Sequence, residues 1–358
     1  MKVAIITDQH FGARNDSTIF LDFYQKFYEE TFFPRLREEK IDAVLILGDT
    51  FDRRKYLNFY TLKRAKEMFF DPLAYMDIPV HILAGNHDTY FKNTNDVNSV
   101  DLLLGEYGIL FNVIDHPSHI YVGPHKICMM PWICPENYED SMETLKDSDA
   151  SICCGHFEID GFQMYRGMPS QEGLKRDYFR KFDFTFSGHY HHKSSRGNIH
   201  YLGSAAEYTW SDYNDPRGFS VFDTSTRVLE FFQNPYKMFR IARYDDVANP
   251  EIVERIQTTD FSRYRNTYVK LVVINKSNPY AFDLLFDSIY KAGPLDIAVI
   301  EDASVLLENE ESDTIDEAED TATILRKYIS GLTLPVDNDR MKDFMLDVYN
   351  EALQVETV

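Results

Sequence analysis

Residues 82–91 read ILAGNHDTYF, and they join a short apolar run to three adjacent polar side chains. The apolar run ends in Gly85, and Asn86, His87 and Asp88 follow at once. Glycine lets a backbone turn sharply, and amide, imidazole and carboxylate groups bind metals or exchange protons. A buried strand that stops at such a group predicts a functional site at the carboxyl end of the strand.

Other apolar runs end in the same kind of polar group. AIITDQH ends in Asp8 and His10, VLILGDTFDRR contains Asp49 and Asp52, SICCGH ends in His156, and FTFSGHYHH contains His189, His191 and His192. A glycine precedes the polar group in four of the five cases, where we expect it to allow a sharp turn. Each group alone is typical of an ordinary turn. All five together predict one shared site.

The fold class follows from the alternation of short apolar runs with amphipathic stretches. Strands are predicted at 3–7, 43–47, 80–84, 152–154, 184–187 and 219–222, and long helices at 19–39 and 57–75. This alternation predicts a layered α/β fold with parallel strands. In such folds the site forms from loops at the carboxyl ends of the strands.

A second unit is predicted to begin at residue 239. It reads as a strand at 268–274, a helix at 280–291 and a strand at 297–301, which is a small α/β module. Residues 301–317 are dense in carboxylates and predict a solvated linker. Two amphipathic helices are predicted after it, at 318–330 and 338–354.

Composition restricts the class of protein. The formal charge of −21 argues against a broad basic surface for nucleic acid, so a role on DNA needs metal ions, a local patch or a partner. No apolar run is long enough to span a bilayer, and the amino-terminal residues do not resemble a secretory signal. The four cysteines show no C-x-x-C spacing, which favours buried thiols in a reducing compartment. We therefore expect a soluble cytoplasmic protein.

The side-chain types of the five groups indicate which metals they bind. Carboxylate, imidazole and amide oxygen suit Mn²⁺, with Mg²⁺, Fe²⁺ or Zn²⁺ as alternatives. No thiolate follows a strand, which disfavours a structural zinc site. The candidates exceed the need of one ion, and two ions about 3.5–4 Å apart that share a carboxylate could clamp a displacement at phosphorus.

The order D-x-H, G-D-x-x-D, G-N-H-D, G-H and G-H-x-H resembles that of the calcineurin-like metallophosphoesterases. Within that family the chain is most similar to SbcD-type nuclease subunits that act on DNA double-strand breaks, and in particular to those of phage recombination systems. The stretches GNHDTYFKN, CCGHFEIDGF and NDPRGFSVFDT carry this closer resemblance. It implies a β-sandwich flanked by helices, with a small α/β capping domain and C-terminal helices.

The resemblance implies a ligand set for two ions. Asp8, His10, Asp49 and His191 would hold one ion, and Asp49, Asn86, His156 and His189 would hold the other. Asp49 would bridge the two, and Asn86 would keep the site from becoming too negative.

The resemblance also implies roles for the remaining polar residues. His87 would be the general acid, or would stabilise charge on the leaving oxygen. Asp88 would support the turn. Many cellular relatives carry histidine where this chain has Asp52, and here its carboxylate could orient His87 and raise the pKa of the imidazole.

The implied function is that of the nuclease subunit of an SbcCD-like complex in DNA repair and recombination. It would hydrolyse DNA at duplex ends or in single strands as an exonuclease, and the sequence leaves open whether it is an endonuclease as well. Residues 1–238 would be the nuclease domain, 239–300 the capping domain that contacts DNA, 301–317 the linker, and 318–358 the segment that binds the coiled coil of an SbcC-like ABC-type ATPase.

The remaining expectations concern assembly and alternatives. The resemblance implies a homodimer within a heterotetramer in the cytoplasm. If a phage encodes the chain, this is the cytoplasm of the host cell.

One alternative is another metallophosphoesterase, either a protein phosphatase or a nucleotide phosphodiesterase. Phosphatases usually carry G-N-H-E where this chain has GNHD. The last alternative is a scaffold without activity, which has no reason to keep seven ligands.

Overall fold

The computed structural model describes residues 1–165, 168–169, 173–301, 341 and 345. Met1–Glu311 form one compact unit and Ser312–Val358 another. Met341 and Met345 are helical. Of the predicted linker, the structure describes only Glu301, at its start. The rest of the linker and of the two predicted C-terminal helices lies outside the described residues.

The first sheet has six strands, numbered along the chain. From edge to edge they are β14 (Val228–Gln233), β13 (Gly218–Asp223), β1 (Lys2–Ile6), β2 (Ala43–Ile46), β3 (Val80–Leu83) and β4 (Phe111–Ile114). The strands β1 to β4 run parallel, whereas β13 and β14 are antiparallel additions.

The second sheet also has six strands. Their order is β11 (Ser194–Arg196), β12 (Ile199–Tyr201), β10 (Phe184–Gly188), β7 (Ile152–His156), β6 (His125–Met130) and β5 (Ser118–Val122). Again the central strands are parallel and both edge strands are antiparallel. The prediction of parallel strands was therefore correct for the centre of each sheet and for β4 at one edge. It was wrong for β13, predicted at 219–222, which pairs antiparallel with β1, and the antiparallel edge strands β14, β11 and β5 were not predicted.

The two sheets pack face to face because alternate residues of each strand point to opposite sides. Ile5 and Leu45 of the first sheet share a buried core with Met129, Cys154 and Phe186 of the second. The intervening residues form two further cores, one under the helices on the first sheet and one behind the second sheet. The β-sandwich flanked by helices is confirmed, and all four cysteines are buried free thiols.

Two long helical stretches cover the first sheet, as predicted. Each is interrupted by a π-helical turn immediately before a proline-containing segment. Pro34 and Pro72 have no backbone N–H, so the regular i→i−4 bond is lost there and the helix widens. The segments are Thr18–Phe27, Tyr28–Phe32 and Phe33–Glu39, then Phe59–Ala65, Lys66–Phe70 and Asp71–Tyr75.

The other helices are shorter. They are Ala13–Asp16, Ser99–Leu104, Tyr138–Asp147, Ile252–Thr258 and Pro279–Lys291, with 3₁₀ turns at Gly105–Leu110, Arg176–Phe179, Trp210–Asp212 and Ser262–Tyr264. Two short strands, β8 (Gln163–Tyr165) and β9 (Met168–Pro169), pair antiparallel with each other. None of the helices in the described part of the chain is both long and apolar enough to cross a membrane.

A third sheet contains β15 (Phe239–Asp245), β16 (Tyr268–Asn275) and β17 (Asp296–Ile300), all parallel. It has its own core, in which Leu271 and Ile289 are completely buried. The ring of Phe239 contacts Phe20 and Trp210 of the preceding region. The structure adds β15 and one helix to the predicted strand–helix–strand module, while the functional division into domains stays a prediction.

Candidate metal centre

The loops after β1, β2, β3, β7 and β10 meet at one edge of the sandwich. They bring together the predicted ligands in three overlapping groups of potential metal-binding atoms, each within 4.8 Å: Asp8, His10 and His191; His10, Asp49 and His87; Asp49, His156 and His189. Asn86 joins the third group through its contacts with both histidines. All nine predicted site residues lie in or against this cluster, which we call the metal centre.

Four residues of the metal centre have left-handed backbone conformations. The φ angles are 50° at Asp8, 45° at His10, 50° at Asp49 and 83° at His189. Such conformations cost about 1–3 kcal/mol each for residues other than glycine and persist when the surroundings fix them. Backbone hydrogen bonds from Asp8 N to Gly48 O (3.1 Å) and from His10 N to Asp49 O (3.0 Å) do so here.

The glycines before the polar groups serve mainly close packing, which differs from the predicted sharp turns. Only Gly48, among the four, has a positive φ, of 90°. A Cβ at Gly85 would lie 2.2 Å from the backbone nitrogen of Asp49, and one at Gly188 would lie 2.6 Å from the carbonyl oxygen of Leu47. The loops therefore approach one another more closely than any side chain would permit.

Asp49 occupies the middle of the metal centre. One carboxylate oxygen, Oδ1, accepts a hydrogen bond from the backbone N–H of His87 at 2.9 Å. The other, Oδ2, lies 3.3 Å from His156 Nε2, and 3.8 Å from His10 Nε2. Burial alone would raise the pKa of Asp49, but the imidazoles of His156 and His87 outweigh it and hold the pKa well below its usual range.

Asn86 lies between two imidazoles. Its Oδ1 is 2.9 Å from His156 Nε2 and 3.0 Å from His189 Nδ1. The other nitrogen of His156, Nδ1, donates to the carbonyl oxygen of Leu47 at 2.7 Å, which directs Nε2 toward the metal centre. Burial would lower the pKa of His156, but the carboxylate of Asp49 raises it to about 9.

Two further imidazoles converge on the opposite side of Asp49. The Nε2 atoms of His10 and His191 lie 3.1 Å apart. Asp8 completes this side, and its carboxylate accepts hydrogen bonds from Thr7 Oγ1 and from the backbone N–H of His189. Burial, together with the charges of His10 and Arg217, holds the pKa of His191 well below its usual range. Neutral imidazole is the form that binds a metal.

His87 and Asp52 contact each other through the main chain. His87 Nδ1 lies 2.6 Å from the backbone carbonyl oxygen of Asp52, which can only accept, so Nδ1 carries a proton and Nε2 faces Asp49 Oδ2 at 4.0 Å. The Asp52 carboxylate is 3.2 Å from His10 Nδ1. From the sequence we expected this carboxylate to orient His87, and its contact with His10 was not anticipated.

Asp88 supports the loops, as predicted from the sequence. Its buried carboxylate accepts hydrogen bonds from the backbone N–H groups of Thr50, Phe51 and Gly85. Burial, with Asp49 nearby, raises the pKa of Asp88 to about 6. It ties the loop after β2 to the loop after β3.

Two supporting residues were not anticipated from the sequence. Tyr208 donates its hydroxyl to the carbonyl oxygens of Asp8 and Gln9. Arg217, only 2 % exposed, donates to the backbone carbonyl of His191 and pairs with Asp212 at 2.7 Å. The one available signal was an arginine within the acidic stretch SDYNDPRG.

His192 lies beside the metal centre and belongs to a different interaction. Its Nδ1 is 3.0 Å from Asp215 Oδ2, and it is absent from the three groups. The G-H-x-H register therefore brings His189 and His191 into the metal centre.

Comparison with known proteins gives one family match and several relatives. The family model described as calcineurin-like phosphoesterase matches residues 1–193. The chain is 29% identical to exonuclease subunit 1 of Enterobacteria phage T4, over 99% of this chain and 100% of that protein. It is 22% identical to the SbcD component of the SbcCD nuclease of Staphylococcus epidermidis, over 97% and 99% of the two chains.

A solved archaeal phosphodiesterase is similar over 65% of this chain and 99% of its own, with a TM-score of 0.34 and 10% identity.

Proposed function

Because the chain belongs to the calcineurin-like phosphoesterase family, we propose that it is the nuclease subunit of an SbcCD-like complex that hydrolyses DNA in repair and recombination. The observation that carries this proposal is the position of Asp49 between two groups of metal-binding side chains. The similarity to two nuclease subunits over nearly the full length of each supports DNA as the substrate.

The donor atoms fit two divalent ions. Asp8, His10, Asp49 and His191 would hold one ion, and Asp49, Asn86, His156 and His189 the other, with Asp49 shared. Two observations support this fit. The nitrogens of His10 and His191 face each other, and Asn86 Oδ1 faces two imidazole nitrogens.

Mn²⁺ is the metal we propose, with Mg²⁺, Fe²⁺ or Zn²⁺ as alternatives, because the donors are oxygens and imidazoles without a thiolate. When bound, the metals would polarise the phosphodiester and supply a hydroxide nucleophile near neutral pH.

His87 acts on the leaving oxygen. Its Nδ1 proton is committed to the Asp52 carbonyl, so Nε2 is the atom that carries a proton to the departing group or stabilises its charge. The Asp52 carboxylate orients His10 through Nδ1, which favours presentation of His10 Nε2 to the metal centre. Asp52 thus positions both imidazoles, one by its backbone and one by its side chain.

Two other regions take part in binding DNA and the partner. Residues 239–300 form the capping domain that contacts DNA, and this segment has as many basic as acidic side chains in a chain of charge −21. Residues 318–358 bind the coiled coil of an SbcC-like ATPase, which supplies positive surface that this chain lacks.

The chain pairs with a second copy within a heterotetramer. Exposed apolar side chains indicate the surface through which the two copies pair. Phe59 is 89 % exposed, and it lines a cavity together with Leu62 and Tyr107. On the adjoining segment Leu102 is 68 % exposed and Ile109 is fully exposed. Exposed apolar patches of this kind mark interaction surfaces.

We propose that the complex acts in the cytoplasm, where DNA substrates are present.

The test is digestion of end-labelled duplex DNA and of single strands with Mn²⁺, with and without the ATPase partner. We expect products that shorten from the labelled ends, nicks within single strands, and stimulation by the partner. Hydrolysis of p-nitrophenyl phosphate without any cleavage of DNA would instead indicate a phosphatase.

A further inference from the structure

A groove with several aromatic and apolar lining residues opens beside the metal centre. Its volume is about 280 Å³, near the lower end of the range that holds small ligands. The aromatic rings of Trp132 and Tyr138 line it, with Ile133 and Leu174. His156 lines the groove as well. An occupant of the groove therefore lies next to any phosphodiester bound at the metals.

The tryptophan is fixed in place by its main chain. Trp132 N donates to the carbonyl oxygen of Ala84 at 2.8 Å, and its carbonyl oxygen accepts from the side-chain amides of Asn95 and Asn137. The indole is half-buried, and its ring centroid lies 5.2 Å from that of His189. The indole is therefore an aromatic surface on an anchored backbone, immediately beside the metal centre.

Charge indicates which part of a substrate the groove accepts. The described lining of the groove includes no lysine or arginine. A phosphate would find no cationic side chain in this described lining, whereas a flat neutral ring would find apolar and aromatic contacts. Nucleobases stack on aromatic side chains whatever their identity, because every base has a π-face.

We propose that this groove binds the nucleobase next to the scissile phosphate, with Trp132 as its stacking surface. This assignment rests on the proposed function, because it requires a nucleotide diester as the substrate. It explains how a chain with a strong negative charge holds a nucleotide at the metal centre by contacts other than ion pairs. Trp132 is thus a specificity-determining residue that takes no part in the chemical step.

Two substrates that share a leaving group test the assignment. With Mn²⁺, the intact chain hydrolyses thymidine 5′-(p-nitrophenyl phosphate) and methyl p-nitrophenyl phosphate, and we expect a preference for the nucleotide on the order of 10-fold, expressed in KM. Trp132→Leu should abolish this preference, measured as the ratio of kcat/KM for the two diesters so that any change common to both cancels. Trp132→Phe should retain most of it. Tyr121→Leu is the matched control, since Tyr121 is 66 % exposed on β5 outside the groove.

Fluorescence provides a measurement that does not depend on activity. The chain has two tryptophans, Trp132 and Trp210, and Trp210 packs on Phe239 away from the groove. With Mg²⁺ present, titration of dAMP should quench the fluorescence of Trp210→Phe, in which Trp132 remains. The same titration should leave the fluorescence of Trp132→Phe unchanged.

The outcomes separate the two proposals. If the wild-type chain hydrolyses both diesters but Trp132→Leu keeps the nucleotide preference, the groove assignment is wrong and the proposed function stands. Equal losses on both diesters, or quenching that persists in Trp132→Phe, also overturn the groove assignment. If the wild-type chain with Mn²⁺ hydrolyses neither diester nor DNA, both proposals are wrong.

Discussion

His10 and His191 come from different sheets, and their Nε2 atoms lie 3.1 Å apart. Two imidazole nitrogens at this distance can share one proton or turn lone pairs toward one cation. Neither ring can move freely, because Asp52 contacts the far side of His10 and Arg217 holds the backbone of His191. The pair is therefore prearranged for a ligand between its nitrogens.

The first prediction concerns this pair and its neighbour. His191→Ala should weaken Mn²⁺ binding at one of the two proposed sites and lower nuclease activity, because it removes a proposed ligand. His192→Ala should have a mild effect, because His192 contacts Asp215 outside the metal centre. Isothermal titration calorimetry with Mn²⁺ measures the metal affinity of both variants, and cleavage of labelled DNA measures their activity. Equal losses in the two variants would contradict the assigned register.

The second prediction concerns the chemical step. His87→Ala should bind two Mn²⁺ ions and DNA but cleave DNA about 10²–10⁴-fold more slowly, because it lacks the proposed general acid. Single-turnover cleavage with saturating metal separates this effect from binding. A rate within a factor of a few of wild type would exclude His87 from proton transfer.

Asp52 provides a contrast to His87. Asp52→Asn keeps the backbone carbonyl that holds His87 but changes the carboxylate that contacts His10. We therefore expect a loss of about 10–100-fold in metal affinity or activity. A shifted pH–rate profile with unchanged metal affinity would instead favour the interpretation that the carboxylate raises the pKa of His87.

The third prediction concerns pH. In the metal-free chain the pKa of His156 is raised to about 9, so its imidazole is protonated at neutral pH. Mn²⁺ needs the Nε2 lone pair, so binding releases this proton and the apparent affinity should rise from pH 7 to about pH 9. Calorimetry in buffers of different ionisation enthalpy counts the protons released. Absence of proton release at pH 7 would contradict His156 as a ligand.

The sequence predicted which side chains come together at this edge of the sandwich because the information is local to each strand end. Asp8, Asn86 and His156 each follow an apolar run directly, so their register along the chain determines where they lie. The supporting contacts are not local. Tyr208 reaches Asp8 across 200 positions of the chain, and no pattern around Tyr208 in the sequence indicates its partner.

The antiparallel edge strands escaped prediction for a related reason. Val228–Gln233 has no fully buried residue and belongs to the sheet through its pairing with β13. Its formation depends on a neighbouring strand more than on its own apolar content. The helix interruptions before Pro34 and Pro72 were also missed. The prolines indicate them, but the hydrophobic periodicity continues across both positions and favours one unbroken helix in each case.

The fourth prediction concerns the C-terminal segment. Truncation after residue 310 should leave a folded, metal-binding phosphoesterase that no longer associates with its ATPase, because residues 318–358 carry the apolar stripes proposed for the coiled coil. Size-exclusion chromatography of the mixed subunits measures association, and hydrolysis of a diester with Mn²⁺ is the control for folding. Undiminished affinity of the truncated chain for the partner would exclude this segment as the binding site.

The most direct test of the two-metal centre is anomalous diffraction from a crystal soaked in Mn²⁺. We expect two peaks, one bound by Asp8, His10 and His191 and one by Asn86, His156 and His189, with Asp49 touching both. Asp49→Asn crystals treated in the same way should show reduced occupancy at both positions. A single peak in the wild-type crystal, or two peaks that Asp49 does not join, would contradict the two-metal centre.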